Sequence, residues 1–194
     1  MQQDLSAGLI IPAAALMYDL ATLLAVSVLL GYSMKVADLL DEHGLKWFRG
    51  ADMLMGIAWG CFGAVLVFYD FAIANMMLAM VAAFIVRRRL DYPNHMLAAA
   101  LVMVAFVLSS AFDYMIFLPF FLVFTLFGAL KDYEDDVLHG KGWRYALNEA
   151  MLYYPIPTAV YAVLAGTWVP FFALTTYTLA YNLTKLFYMK RGVA

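Results

Sequence analysis

Long apolar runs decide what this chain can fold into. A helix that crosses a bilayer needs roughly 17–25 mostly apolar residues. Seven such runs, some of them short, follow one another along the sequence with brief polar connections between them. They predict helices at about 7–34, 51–68, 71–86, 96–112, 114–130, 151–165 and 168–188. Only two residues separate the second run from the third, so one broken helix over both is the alternative.

The composition favours a membrane environment over water. Of the 194 residues, 66% are hydrophobic and 13% are charged, whereas soluble domains are about half apolar and a quarter charged. A soluble fold of this length has no interior large enough for so many apolar side chains. We therefore predict an all-α fold, a polytopic transmembrane helical bundle that forms a single domain over residues 1–194, surrounded by membrane lipids.

The basic residues predict how the bundle is oriented. All 12 lysines and arginines fall in four places, after the first, third, fifth and seventh helices. They are Lys35, Lys46, Arg49, Arg87, Arg88, Arg89, Lys131, Lys141, Arg144, Lys185, Lys190 and Arg191. Cytoplasmic loops carry such an excess. This predicts a multi-pass protein of the cell membrane with its N-terminus outside and its C-terminus inside. The sequence has no strongly basic patch of the kind that would indicate a nucleic-acid partner.

Most acidic residues lie on the same predicted side of the membrane as the basic residues. Ten of the 14 acids and all three histidines lie at or near the predicted inner face, so a site should open inward. The acids are Asp38, Asp41, Glu42, Asp52, Asp91, Asp132, Glu134, Asp135, Asp136 and Glu149. Asp19 stands apart inside the first helix. An acid in mid-membrane is a functional hypothesis by default, although a structural hydrogen bond within the bundle is an equal alternative.

The densest polar segment covers residues 131–141, directly after the fifth helix. If that helix continues inward, Asp132 shares one face with Asp135 or Asp136, at spacings of three and four residues. Paired carboxylates suit Mg²⁺, which prefers oxygen ligands and is commonly shared with a substrate's phosphates. The alternative is a solvated acidic loop that only ends the helix.

A second polar segment begins with three consecutive arginines, Arg87, Arg88 and Arg89. Arginine forks bind phosphate oxygens, and Asp91 and His95 follow closely enough to serve as a ligand or proton carrier. Asp91 and His95 are therefore our candidate catalytic residues. The alternative is an anchor that holds the helix end to anionic lipid headgroups.

A third polar segment, residues 36–48, mixes acids and His43 with leucine, tryptophan and phenylalanine. The pattern favours a short amphipathic helix lying at the membrane surface. If this segment folds instead against the other two, three histidines and several carboxylates converge, a combination that suits a transition metal.

The sequence Lys-Asp-Tyr-Glu-Asp at 131–135, followed by Gly140 and Lys141, resembles the second aspartate-rich motif of the UbiA prenyltransferase superfamily. Its members are all-helical membrane enzymes that bind Mg²⁺ and an isoprenyl diphosphate at the cytoplasmic side. The resemblance implies Asp132, Asp135 and Asp136 as magnesium ligands and Lys131 and Lys141 as diphosphate contacts. The family's first motif is not present, and the segment 89–95 stands in its place with one aspartate.

These observations predict a membrane-embedded, Mg²⁺-dependent enzyme that acts on an isoprenoid or lipid phosphate at the cytoplasmic face, similar to a prenyltransferase. Two other classes remain open. One is a small-molecule or ion transporter that uses Asp19, and the other is a non-catalytic subunit of a larger membrane complex. Assembly as a homo-oligomer or within such a complex is compatible with each of the three.

Overall fold

The computed structural model describes residues 13–137 and 150–192, and over these residues it is all-helical, without a strand. This confirms the predicted all-α class. Seven helices lie in the described part: α1 (Ala13–Asp41), α2 (Ala51–Tyr69), α3 (Phe71–Val86), α4 (Pro93–Ser109), α5 (Tyr114–Asp136), α6 (Pro155–Ala165) and α7 (Val169–Met189).

The predicted helix bounds agree best for α2 and α3 and least for α1. Helix α1 runs seven residues past the predicted end, to Asp41. The separate surface helix predicted for residues 36–48 is therefore wrong. Its first residues continue α1, where Leu39 is fully buried, and residues 42–50 are not helical. Helix α5 likewise runs on to Asp136, so the first acids of the dense segment lie on a helix.

Asp70 makes α2 and α3 two helices and excludes the single broken helix. Its backbone is extended, and its carboxylate accepts hydrogen bonds from the backbone N–H groups of Ala72 and Ile73, both at 2.9 Å. These are orphan donors at the start of α3, so Asp70 is a typical N-cap. Helix α4 begins with Pro93 at its first position, which holds Tyr92 in an extended conformation, as expected for the residue before proline.

Helix α3 is the centre of the bundle. It contacts α2, α4, α5 and α7, and a helix that is apolar on all sides is typically buried in this way. Its buried residues include Ile73, Met76, Met77 and Met80. The fully buried Asn75 fixes one end, because its side chain donates to the carbonyl of Ala111 at 2.6 Å and accepts from the N–H of Asp113 at 2.8 Å.

The outer surface of the bundle is apolar. Three segments are long and apolar enough to cross a membrane, Asp19–Asp41, Ala51–Tyr69 and Tyr114–Glu134, and three shorter helices are also apolar. Val107 and Leu164 are 73% and 82% exposed. Many large apolar side chains point outward in this way, which would be unfavourable in water and suits a lipid environment. The helices therefore support membrane association.

Helices α2 and α4 approach each other at two glycines of α2. A Cβ atom at Gly56 would lie 2.7 Å from the carbonyl oxygen of Asn94, and one at Gly60 would lie 2.8 Å from the Cα atom of Ala98. Small residues permit this close backbone contact between membrane helices. The contact sets the position of Asn94 and His95, which begin α4.

We expect Gly60→Ala to lower the stability of the protein in detergent by about 1–3 kcal/mol, the typical cost of overpacking. The added methyl group would meet the backbone of Ala98 and force α2 and α4 apart. Gly63→Ala is the control, because the nearest atoms to its Cβ would be the side-chain methyl groups of Val102 and Met77 and not a backbone atom. Thermal unfolding followed by circular dichroism measures both. An equal loss at Gly60 and Gly63 would contradict the backbone contact.

Candidate functional site

A cavity of about 440 Å³ lies at the end of the bundle where α1, α3, α5 and α7 finish. We call this the basic end, because Lys35, Arg87, Arg89, Lys131 and Lys185 line the cavity there. All three polar segments singled out from the sequence contribute to its wall, through His43, His95 and Asp132 among others. Their convergence, which the sequence left open, is thus observed.

The cavity carries more positive than negative charge. Among the residues that the structure describes, five lysines and arginines face it, against three acids, Asp38, Glu42 and Asp132. The basic side chains come from α1, the α3–α4 connection, α5 and α7. A concave surface with one prevailing sign of charge concentrates ligands of the opposite sign. This cavity therefore favours an anion.

The remaining wall of the cavity is largely aromatic and apolar. It includes Met34, Trp59, Phe84, Leu90, Met151, Tyr153, Tyr154, Tyr177 and Tyr181. Along α7, Lys185 lies four residues and Tyr177 twelve residues before the end of the helix, about 6 Å and 18 Å of helix rise. Along α7, the cavity wall thus changes from cationic near the basic end to aromatic in the interior of the bundle.

Asp132 joins the two arginines that face the cavity. Arg87 donates from Nε to Oδ2 at 2.9 Å and from Nη2 to Oδ1 at 2.8 Å, a bidentate pair, and Arg89 Nε donates to Oδ1 at 2.9 Å. The Arg87 side chain is only 8% exposed. It lies against α5 at Gly128, where an added Cβ would clash with the guanidinium. The pair ties the end of α3 to α5.

The turn after α3 separates the three consecutive arginines. Arg88 has a φ of 57°, its N–H donates to the carbonyl of Ile85 at 3.1 Å, and the N–H of Arg89 donates to the carbonyl of Phe84 at 2.9 Å. This is a Schellman motif, in which glycine usually occupies the left-handed position. The turn places Arg87 and Arg89 on the cavity and leaves Arg88 exposed, outside its wall.

A second polar cluster is centred on Asp38, in the last turns of α1. Its carboxylate accepts a hydrogen bond from the hydroxyl of Tyr181 at 2.5 Å and lies 3.8 Å from Lys35 Nζ. His95 Nε2 lies 3.3 Å from the other carboxylate oxygen. Asp38 thus connects α1 with α4 and α7. One turn farther along α1, Asp41 accepts a hydrogen bond from the side chain of Asn94 at 2.5 Å.

Two titratable groups just beyond α1, Glu42 and His43, also line the cavity. Burial raises the pKa of Glu42, and the nearby negative charge of Asp38 acts in the same direction. Burial lowers the pKa of His43, and the positive charge of Lys35 adds to the effect. His43 is therefore uncharged at neutral pH. The positive charge of the cavity then rests on its lysines and arginines, together with any proton on His95.

Only some of the predicted substrate-binding and catalytic residues line the cavity. Arg87, Arg89, Lys131 and His95 line the cavity. Asp91 is exposed in the α3–α4 connection and, like Arg88, is not part of the wall. Lys141 lies outside the described residues. The catalytic roles of Asp91 and His95 stay predictions.

The predicted magnesium ligands begin at Asp132, whose carboxylate is already hydrogen-bonded by two arginines. Asp135 and Asp136 follow it in the last turn of α5, at the predicted helical spacing, and their side chains lie outside the described part. Within residues 13–137 and 150–192, no group of three or more histidine, cysteine or acidic side chains is placed to hold a metal ion.

Asp38 was noted in the third polar segment but was not among the predicted site residues, and the aromatic wall was not predicted. One signal was present: Tyr177, Tyr181 and Lys185 follow at steps of four and so share one face of α7. Asp38 similarly follows Lys35 by three residues on α1. In an apolar run, however, tyrosines that face a cavity have the same pattern as tyrosines that face lipid.

Asp19 does not lie in the middle of the bundle, which corrects the sequence-based expectation. Its side chain is exposed, and its backbone carbonyl accepts a hydrogen bond from the Tyr69 hydroxyl at 2.5 Å. Tyr69 ends α2 at the end opposite the cavity.

Comparison of the chain with protein-family models, with curated proteins and with solved structures gives no match.

We expect Asp132→Ala to destabilise the protein by about 3 kcal/mol, because it leaves the buried Arg87 charge without its partner. Arg88→Ala is the control, since it removes an exposed arginine from the same turn and should change stability by about 0.5 kcal/mol or less. Thermal unfolding in detergent compares them. Unchanged stability in Asp132→Ala would contradict a structural role for the pair.

We expect Arg88→Gly to stabilise the protein by about 1 kcal/mol, because glycine adopts the left-handed conformation without the steric cost of a Cβ atom. Arg88→Ala removes the same charge but keeps the Cβ, so it should bring no such gain. The same unfolding measurement applies. Equal stabilities for the glycine and alanine variants would contradict the Schellman turn at this position.

Proposed function

We propose that the chain is a multi-pass protein of the cell membrane, with its N-terminus outside, and that it acts on a lipid or isoprenoid phosphate bound in the cavity. The three long apolar helices and the outward-facing apolar side chains support the membrane location. The excess of lysine and arginine at the cavity end supports its orientation toward the cytoplasm.

One observation carries the proposal: a single cavity is lined by five basic side chains and by a set of aromatic and apolar ones. An amphiphile with a phosphorylated head and a hydrocarbon tail has the same polarity along its length. Arginine forks bind phosphate oxygens in planar, bidentate geometry. Arg89 suits this role, since its side chain is 38% exposed while it remains paired with Asp132.

The same side chains indicate a reaction at the phosphate. Basic groups fixed around a leaving phosphate or diphosphate stabilise the charge that develops as its bond breaks. His95 would carry the proton to or from the attacking or leaving oxygen, and Asp38 would orient its ring. These are the features of a prenyltransferase-like or lipid-phosphate enzyme.

Magnesium remains a separate part of the proposal. The helical spacing of Asp132, Asp135 and Asp136 at the end of α5 supports it, whereas the pairing of Asp132 with Arg87 and Arg89 competes with it. Because Asp132→Ala also breaks that pairing, lost activity in this variant would not identify a metal ligand. Addition of Mg²⁺ or of a chelator to the unaltered protein tests the metal directly.

We expect phosphatidic acid and farnesyl diphosphate to stabilise the purified protein against heat, and diacylglycerol, which lacks the phosphate, to have no effect. Lys185→Ala and Arg89→Ala should each weaken binding about tenfold, the loss of one charged contact of about 1.4 kcal/mol. Arg88→Ala is the control, because this arginine lies outside the cavity.

Equal binding of diacylglycerol, or an equal loss in Arg88→Ala, would contradict the proposed phosphate site. Release of phosphate or diphosphate by the wild-type protein, measured with and without Mg²⁺, distinguishes an enzyme from a binding protein. The transporter alternative predicts instead a flux in proteoliposomes that depends on Asp19. The subunit alternative predicts a partner that copurifies in a fixed ratio.

A further inference from the structure

Lys35 places a buried positive charge on the cavity wall. It lies in the apolar span Asp19–Asp41 of α1, six residues before the helix ends, and its side chain is only 4% exposed. An ionisable residue at such a position is costly, and it normally either pairs with a neighbouring charge or binds a ligand. The contacts of its ammonium group distinguish these two roles.

Asp38 pairs with Lys35 only loosely. Lys35 Nζ lies 3.8 Å from Asp38 Oδ2, which is beyond hydrogen-bond distance. That oxygen already accepts the hydroxyl of Tyr181 at 2.5 Å, and the other oxygen faces His95 Nε2 at 3.3 Å. An ammonium group has three N–H donors, and among the described residues none of those of Lys35 makes a hydrogen bond. A buried charge without hydrogen bonds is unfavourable, so the loose pair leaves Lys35 incompletely satisfied.

The described neighbours of the Lys35 ammonium belong to the cavity wall. Nζ lies 5.1 Å from the centre of the Tyr181 ring, and its charge interacts with the charges of Glu42 and Lys131. These three residues, like Asp38, line the cavity. Lys131 belongs to α5 and carries the same sign of charge, so the two lysines repel each other. An anion bound near both ammonium groups would offset this repulsion.

We infer that Lys35 binds a phosphate group in the cavity and donates hydrogen bonds from its ammonium to the phosphate oxygens. The inference rests on the proposed function and adds a contact from α1 to those of Arg89 and Lys185. A lysine ammonium is a compact point charge that binds phosphate without the planar geometry of an arginine fork. Asp38 balances the charge of Lys35 without occupying its hydrogen-bond donors, which remain for the phosphate.

The test measures binding of dioleoyl phosphatidic acid and of inorganic phosphate to the purified protein, because a lipid headgroup and free phosphate present the same oxygens. Lys35→Met keeps the length of the side chain and removes its charge. It should weaken binding of both ligands about tenfold, as expected for the loss of one charged hydrogen bond. Lys35→Arg retains the charge and should retain most of the binding. Lys46→Met is the matched control and should change neither, because Lys46 is exposed and lies outside the cavity wall.

A double variant separates binding from a purely structural pairing. Lys35→Met with Asp38→Asn removes both charges, so the pair leaves no unpaired charge behind and the net charge of the cavity is unchanged. If Lys35 contacts the phosphate, this variant should bind phosphate as weakly as Lys35→Met. Asp38→Asn alone should not weaken binding, because it removes a negative charge near the anion.

Wild-type affinity in the double variant overturns the inference, and it does so even if Lys35→Met alone does not fold. An equal loss in Asp38→Asn overturns it too, because the loss would then follow the pair and not the ammonium.

The two proposals fail in different ways. If phosphatidic acid binds through Arg89 and Lys185 with the same affinity in the double variant, the role of Lys35 is wrong and the proposed function stands. If inorganic phosphate binds and depends on Lys35 while phosphatidic acid does not bind, the site takes free phosphate and the lipid function is wrong. If neither ligand binds, both proposals are wrong.

Discussion

A charged side chain buried in this bundle needs a partner of opposite charge, and this constraint determines how the residues of the basic end are arranged. A buried charge without a partner costs several kcal/mol, so buried ions are normally paired and hydrogen-bonded. Lys35 is only 3% exposed and lies beside Asp38. Arg87 is held by both oxygens of Asp132. The pair of Arg87 and Asp132 joins the end of α3 to α5. Asp38 also accepts a hydrogen bond from Tyr181, which links α1 to α7. The pairing of charges therefore also fixes the cavity wall.

Helices were predicted well from the sequence wherever polar residues flank an apolar run on both sides. Helix α3 is an example, because Asp70 caps its start and Arg87 follows its end. The prediction was wrong for the end of α1. There Lys35 and Asp38 have the composition of a connection, yet they continue the helix. Their charges are tolerated because α4 and α7 supply partners, and the sequence of α1 alone carries no information about those partners.

The charged residues of the candidate site could be predicted from the sequence, whereas the aromatic residues of its wall could not. Arg87, Lys131 and His95 stand out at the ends of apolar runs, and all three line the cavity. Trp59 and Tyr154 lie within or beside such runs, where a side chain that faces a cavity cannot be distinguished from one that faces lipid. The role of Asp132 was also ambiguous, since a pairing across 45 positions of sequence is decided by the packing of α3 on α5.

The single-residue connection at Asp70 has a consequence for how such a chain would enter a bilayer during synthesis. Helices α2 and α3 are joined so closely that neither can cross without the other, and they would insert together as a helical hairpin. Asp70, at the tip of this hairpin, would be the one charged residue that passes through the hydrocarbon core of the bilayer. Its carboxylate accepts the first free N–H groups of α3, so the residue that ends one helix and begins the next also lowers the cost of moving the hairpin across.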